Sequence, residues 1–158
     1  MIRALALAGC LLALRLAAQP MAVGEAQLHP KRGIARQVQV PHDAVYQRAK
    51  RYRGRPLAPL LRRAGIGAEA GQEAWDLVFI CSDAYTVRMP LGLALAHEGH
   101  LVWKDLDAPA GRRWTPLRPG GSDSELGSWY VVWADAPAGD ARFKWPYALE
   151  RIRLEPRP

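Results

Sequence analysis

The stretch WDLVFICSDAYTVRMP, residues 75–90, predicts the hairpin from which the rest of the fold can be worked out. Residues 77–81 are all apolar, as expected of a central strand that is buried on both faces. The next three residues, Ser-Asp-Ala, are typical of a tight turn. From Tyr85 to Met89 apolar and polar side chains alternate, which predicts a second strand that returns along the first.

Cys81 ends the first of these strands and is either a core residue or a reactive centre. A reactive thiolate needs nearby cations or a helix N-terminus, whereas residues 78–80 are apolar. Apolar surroundings raise the pKa of a thiol and keep it protonated. We therefore expect Cys81 to pack in the core, with metal binding or redox chemistry as the alternative.

Residues 1–22 have the layout of a secretory signal peptide, with a basic start, an apolar stretch and small residues near the end. We therefore expect a periplasmic or secreted protein without a membrane span, because the apolar stretch is too short and interrupted to cross a bilayer. LAGC at residues 7–10 resembles a lipoprotein cleavage box, but the most apolar part follows it, so we do not expect a lipid anchor. Removal of the peptide would leave Cys81 as the single cysteine, which cannot form an internal disulfide.

The chain is basic, with 22 Lys and Arg against 15 Asp and Glu and a net charge of +7. Without residues 1–22, which contain two arginines and no acid, the net charge would be +5. A basic exported protein can meet anionic lipid, an acidic partner protein or an anionic ligand, and nucleic acid is not an expected partner there. The length of 158 residues predicts one domain, which we place at residues 36–158 after a loose arm at 23–35.

Residues 56–67, PLAPLLRRAGIG, predict a short helix with a clear end. Its apolar residues recur at the spacing of one helical face, namely Leu57, Leu60, Leu61 and Ala64. Prolines are tolerated in the first turn, and Gly65 is placed to end the helix. The basic run at residues 48–55 predicts a strand with Arg51, Arg53 and Arg55 on one face.

Further strands are predicted at residues 36–40, 100–103 and 129–134 and in the closing segment 145–155, and a second short helix at 91–99. A long loop rich in Pro and Gly occupies residues 105–127. The chain is thus predicted to contain short strands and two short helices. This pattern predicts an α+β domain with a mixed or mainly antiparallel sheet and long loops.

Several short motifs follow one another in an informative order. They are G-x-P-L-x-x-L-L, a strand that ends in D-A-Y, P-L-x-x-A-L, and a Trp followed by I-x-L. Their residues here are Gly54, Pro56, Leu57, Leu60 and Leu61; Asp83, Ala84 and Tyr85; Pro90, Leu91, Ala94 and Leu95; and Trp145, Ile152 and Leu154. This order resembles the oxidoreductase molybdopterin-binding domain, the core of the sulfite oxidase family, over about residues 36–155.

The resemblance implies a sulfite oxidase-like molybdopterin-binding fold, with molybdopterin as cofactor and an oxidoreductase-like function. Catalytic members of that family hold molybdenum through a cysteine upstream of the helix, and the chain after residue 22 has none there. Our leading hypothesis is therefore a binding or accessory module of a periplasmic redox system, with a redox protein or cytochrome as partner. The alternative is a genuine molybdopterin-dependent oxidoreductase. Ala84 replaces the family's glycine, which costs about 1 kcal/mol if the position needs a positive φ.

The family's habit of placing ligands at the loops beside the turn implies a candidate cofactor cleft. Its candidate residues are His42, Asp43, Arg51, Arg53, Asp83, Tyr85 and Arg88. Arginine forks match oxyanions, so the two basic strand residues suit a phosphate or another anion. The competing interpretations are a solvated strand face for the arginines and turn stabilisation for the two aspartates. The aromatic segment Trp-Pro-Tyr at 145–147 would suit a partner interface if it is exposed.

HEGH at residues 97–100 looks like half of a metal site, since imidazoles three residues apart can share an ion on a helix. His97 and His100 therefore define a second alternative, a metal-binding periplasmic protein. Gly99 is expected to end the helix between them, which favours two separate surface histidines instead.

Overall fold

Two four-stranded sheets and two short α-helices form the framework of the described residues. The computed structural model describes residues 22–23, 34–67 and 72–158. In chain order the elements are β1 (Ala22–Val23), β2 (Arg36–Asp43), β3 (Arg48–Pro56), α1 (Leu57–Arg63), β4 (Trp75–Cys81), β5 (Thr86–Pro90), α2 (Leu91–Ala96), β6 (Gly99–Asp105), β7 (Tyr130–Trp133) and β8 (Leu149–Pro156). Short 3₁₀ turns occur at Gln72–Ala74 and Asp123–Leu126.

Sheet I has the strand order β1-β8-β4-β5, and sheet II has the order β2-β3-β6-β7. Each neighbouring pair in these two sheets is antiparallel. The predicted α+β class, the antiparallel pairing and the two short helices are confirmed, but the strands divide between two sheets instead of forming one. Periodicity along the chain predicts strands individually and carries no information on distant pairings such as β4 with β8.

The predicted hairpin is present, and β4 pairs with β5 so that Phe79 lies opposite Val87. Phe79 is fully buried in the main core. In the turn, the carboxylate of Asp83 accepts a hydrogen bond of 3.0 Å from the backbone N–H of Tyr85. Ala84 takes a φ of 66°, so the strained backbone considered for this position is observed.

The basic strand β3 does not keep its arginines on one face. Arg51 and Arg53 are exposed, but a register shift between Arg53 and Gly54 breaks the alternation, and Arg55 is buried. The expectation that all three arginines share a face is therefore wrong for Arg55. Gly54 is needed at the shift, because a Cβ there would lie 2.5 Å from Cγ1 of Val102 on β6.

Helix α1 forms as predicted and ends before Gly65, which takes a φ of 78°. Its buried face carries Leu57, Leu60 and Leu61. Helix α2 is shorter than predicted, because it ends at Ala96 and Gly99 already begins β6.

Apolar side chains form two clusters that meet at β7. Val131 and Trp133 belong to the main core, which contains residues of both sheets and both helices. Tyr130 and Val132 belong to a second cluster on the other face of sheet II. The long loop between β6 and β7 contributes the buried Trp114 to that cluster, so the loop forms a packed layer over the sheet.

Neither helix in the described ranges has the length and apolar character that a bilayer crossing requires. Of the predicted signal peptide at 1–22, only Ala22 is described, and of the predicted arm at 23–35, only Val23 and residues 34–35 are. Ala22 and Val23 pair with β8, so the predicted boundary between leader and arm falls inside a strand.

Replacement of Ala84 by glycine is expected to stabilise the protein, because glycine adopts a φ of 66° without the steric cost of a Cβ. We expect the free energy of unfolding to rise by about 0.5–1 kcal/mol, since the freedom of glycine in the unfolded chain offsets part of the gain. Urea denaturation measures the change. The control, Ala138→Gly, alters an exposed alanine that does not have a positive φ and should be neutral or slightly destabilising. An Ala84→Gly protein no more stable than the control would contradict the strain.

Candidate functional site

A groove runs beside the loop that joins β7 to β8. It consists of two adjoining cavities of about 360 Å³ and 190 Å³, which share Phe143 and Trp145. Asp83 and Tyr85 from the hairpin turn line the larger cavity, and His42 from the end of β2 lines the smaller one. We call these two cavities together the aromatic groove.

Aromatic side chains make up much of its wall, namely Tyr85, Phe143, Trp145 and Tyr147. Tyr85 is 57% exposed, and the other exposed large hydrophobic residue in the described ranges is Ile34. Trp145 is half-buried and packs against both core clusters. The Trp-Pro-Tyr segment is thus only partly exposed, and Tyr85 is the most accessible aromatic group of the groove.

The loop that carries the groove is tied to β7. The indole N–H of Trp133 donates to the carbonyl oxygen of Lys144 at 2.8 Å, and the backbone N–H of Val131 donates to that of Pro146 at 3.0 Å. The ring of Phe143 meets that of Trp133 edge to face, with 5.5 Å between centroids. A ligand would therefore meet a wall that is already ordered, which lowers the entropic cost of binding.

Polar groups of both signs stand among the aromatic rings. The carboxylate of Asp83 holds its own turn, and the ammonium of Lys144 donates to the carbonyl oxygen of Ala141 at 2.7 Å. His42 adds an imidazole at the smaller cavity. Such a surface can bind a partner that presents both apolar and polar groups.

The structure brings together only some of the candidate cofactor residues. Asp83 and Tyr85 share one cavity, and His42 lies in the adjoining one. The three arginines do not line either cavity. Arg51 pairs with Asp107 at 2.7 Å, Arg53 is exposed on the same face of β3, and Arg88 pairs with Glu155 on sheet I. The arginines thus belong to two different sheets, so they do not form one anion site.

Asp43 is fully buried and stabilises the structure around it. One carboxylate oxygen accepts hydrogen bonds from the backbone N–H groups of Val45 and Tyr46, both at 2.9 Å, as turn stabilisation requires. The other accepts the hydroxyls of Tyr52 at 2.7 Å and Tyr130 at 3.0 Å. Burial, and then the charge of Asp43, raise the pKa of both phenols, which therefore stay protonated as donors.

A second buried polar group was missed by sequence reasoning. Lys50 is 1% exposed, and its ammonium lies 2.5 Å from the Asp105 carboxylate and 2.9 Å from the Thr115 hydroxyl. It also lies 4.6 Å from the ring centroid of Tyr46. The burial of Lys50 could have been predicted from the alternation of faces along β3. This alternation places Lys50 on the same side as Tyr52 and opposite the exposed arginines.

Cys81 packs in the core, as the sequence predicts. Its side chain is 3% exposed, and burial raises the pKa of the thiol to about 11, with smaller contributions from the charges of Asp83 and Glu150. A thiol with that pKa is almost wholly protonated at neutral pH and is a poor nucleophile and metal ligand.

The two histidines of the HEGH stretch have separate partners. His97 lies 2.9 Å from the Asp135 carboxylate, and His100 bonds to the carbonyl oxygen of Glu98 at 3.0 Å. Burial, and then the charge of Arg36, lower the pKa of His100, although its contacts with Glu98 oppose the change. Within the described ranges, no three His, Cys, Asp or Glu side chains converge in a way that could hold a metal ion.

The described residues do not fit the molybdenum cofactor that the family resemblance implies. Within the described ranges the single cysteine is Cys81. It is buried at the end of β4, whereas the family's molybdenum ligand lies upstream of the helix. A separate cavity of about 540 Å³, lined in part by Ser82 of the hairpin turn, is large enough for a small organic ligand. It is lined by Ser82, Ser128, Glu150 and Arg151 among others, and none of these is a thiolate ligand.

No protein-family model matches the chain, and neither a curated protein nor a solved structure does. The resemblance to the molybdopterin-binding domain therefore stays a prediction.

The Asp43 cluster should contribute strongly to stability. Tyr130→Phe removes one donor to a buried carboxylate and is expected to lower the free energy of unfolding by about 1–2 kcal/mol. Asp43→Ala leaves two buried phenols without their acceptor and should cost about 3 kcal/mol or more. Urea denaturation measures both. Tyr85→Phe, at an exposed tyrosine, is the control, and a Tyr130→Phe protein as stable as that control would rule out this role.

Cys81 should resist thiol reagents in the folded protein. At pH 8 a thiol with a pKa of about 11 is ionised in about one molecule per thousand, and burial slows access further. In a Cys10→Ala background, we expect labelling by a disulfide reagent at pH 8 to be at least about a hundredfold slower in buffer than in urea. The native rate should rise as the pH approaches 11, because the thiolate then forms. Rapid native labelling at neutral pH would instead indicate an accessible, ionised thiol.

Proposed function

We propose that this chain is a binding or accessory module of an exported redox system, and that the aromatic groove holds its partner protein. The observation that carries the proposal is the exposed ring of Tyr85 beside a preformed wall of Phe143, Trp145 and Tyr147. Aromatic residues that are accessible beside an ordered cavity are the typical anchors of protein interfaces. A periplasmic redox protein such as a cytochrome is the partner that the family resemblance implies.

The chemistry of the described residues supports binding rather than catalysis. The thiol of Cys81 is buried and protonated at neutral pH. The arginines that were candidate cofactor residues lie apart on two sheets, and two of them already pair with carboxylates. The sulfite oxidase-like fold remains part of the proposal, supported by the order of the motifs and by the α+β architecture with antiparallel sheets.

The test is to isolate the protein from the periplasm of its own organism. Molybdenum, copper, zinc and iron are measured per chain, together with the fluorescence of released pterin and the haem absorbance of co-purifying protein. We expect no bound molybdenum or pterin, and a haem or other redox protein that co-purifies. Tyr85→Ala should remove that partner, because loss of an interface anchor costs about 2 kcal/mol of binding.

Ile34→Ala is the matched control, because Ile34 is the other exposed large hydrophobic residue of the described ranges and does not line the groove. It should leave the partner bound. Stoichiometric molybdenum with pterin would overturn the proposal in favour of a molybdopterin-dependent oxidoreductase. Equal losses from the Tyr85 and Ile34 variants would show that the groove is not the binding surface.

A further inference from the structure

Three arginines meet at a cavity away from the aromatic groove. Arg36 begins β2, Arg55 lies near the end of β3, and Arg63 is the last residue of α1. Together they line a cavity of about 160 Å³. The register shift in β3 is what directs Arg55 to this side, because it removes Arg55 from the exposed face of Arg51 and Arg53.

The positive charges at this cavity are close together. Arg55 is 4% exposed, and its pKa is lowered by burial and then by the neighbouring charge of Arg63. Among the ion pairs of the described residues, none joins Arg36 or Arg63 to a carboxylate. An anion placed here would be attracted by the guanidinium groups of Arg36 and Arg63.

The rest of the cavity wall is apolar. Ile34, which is 76% exposed, stands on one side, and Pro59 and Leu60 of α1 stand on another. Guanidinium groups match the oxygens of carboxylate and phosphate in a forked geometry. A wall that combines such groups with aliphatic side chains complements a ligand with an anionic head and an apolar part.

We propose that this cavity binds a small amphiphilic oxyanion, a carboxylate or phosphate that carries a short apolar group. The oxygens of the ligand accept hydrogen bonds from the exposed guanidinium groups of Arg36 and Arg63, and its apolar group covers the aliphatic wall. This site is separate from the aromatic groove, and it does not rest on the proposed accessory function. It also differs from the anion site that the sequence suggested, because neither Arg51 nor Arg53 lines it.

Isothermal titration calorimetry of the full chain tests the proposal with inorganic phosphate, hexanoate, hexyl phosphate and phosphatidylglycerol vesicles. Hexyl phosphate should bind at least about tenfold more tightly than inorganic phosphate, because its alkyl chain is removed from water. Arg63→Gln should weaken the binding of hexyl phosphate about tenfold or more, through loss of a charge-assisted hydrogen bond.

Arg62→Gln is the matched control. Arg62 is the preceding residue on the same helix, it is exposed, and it does not line the cavity, so the same net charge is lost at a neighbouring position. It should weaken binding about twofold or less, as a screened distant charge does. Circular dichroism confirms that both variants are folded.

Three results would overturn the proposal. The first is equal weakening by Arg62→Gln and Arg63→Gln, which indicates non-specific attraction. The second is a failure of all three anions to bind at millimolar concentration. The third is binding only to phosphatidylglycerol vesicles, which would make the surface a membrane contact instead of a site for a free anion.

Discussion

The buried carboxylate of Asp43 is the constraint on which sheet II depends. It stands at the end of β2 and accepts the hydroxyl of Tyr52 on the neighbouring strand and that of Tyr130 on β7. Because β2 and β7 are the two edge strands of this sheet, one carboxylate joins edges that would lie far apart in a flat sheet. The sheet therefore curls until its edges contact each other, and the second apolar cluster fills the concave side.

The ion pair of Lys50 and Asp105 belongs to the same interior. Two charges taken out of water cost several kcal/mol each, and only mutual attraction and further hydrogen bonds offset that cost. Thr115 supplies both its hydroxyl and its backbone N–H to the Asp105 carboxylate, at 2.6 Å and 3.1 Å. Thr115 lies in the long loop between β6 and β7, so the pair attaches that loop to the sheet it covers. This attachment explains how a segment rich in Pro and Gly forms an ordered layer.

The two surfaces with functional interest are consequences of this framework. The loop between β7 and β8 is held to β7 by backbone and indole hydrogen bonds, and its aromatic side chains form the groove beside the hairpin turn. The arginine-lined cavity exists because the register shift in β3 turns Arg55 inward, towards α1. One surface suits an aromatic and polar partner, and the other suits an anion. They share no lining residue, so each can be altered without changing the residues of the other.

The sequence by itself determined the features that depend on neighbours along the chain. Alternation and apolar runs predicted the hairpin of β4 and β5, the spacing of leucines predicted α1, and the apolar run before Cys81 predicted its burial. The motif comparison raised the question of a positive φ at Ala84, and the structure gives it a φ of 66°. Only the tertiary structure decided that the strands form two sheets, that Lys50 is buried beside Asp105, and that Asp43 meets a tyrosine 87 residues away. The physical reason is that periodicity reports which face of an element is apolar, whereas the partner of a buried charge and the position of a register shift depend on contacts between segments far apart in the chain.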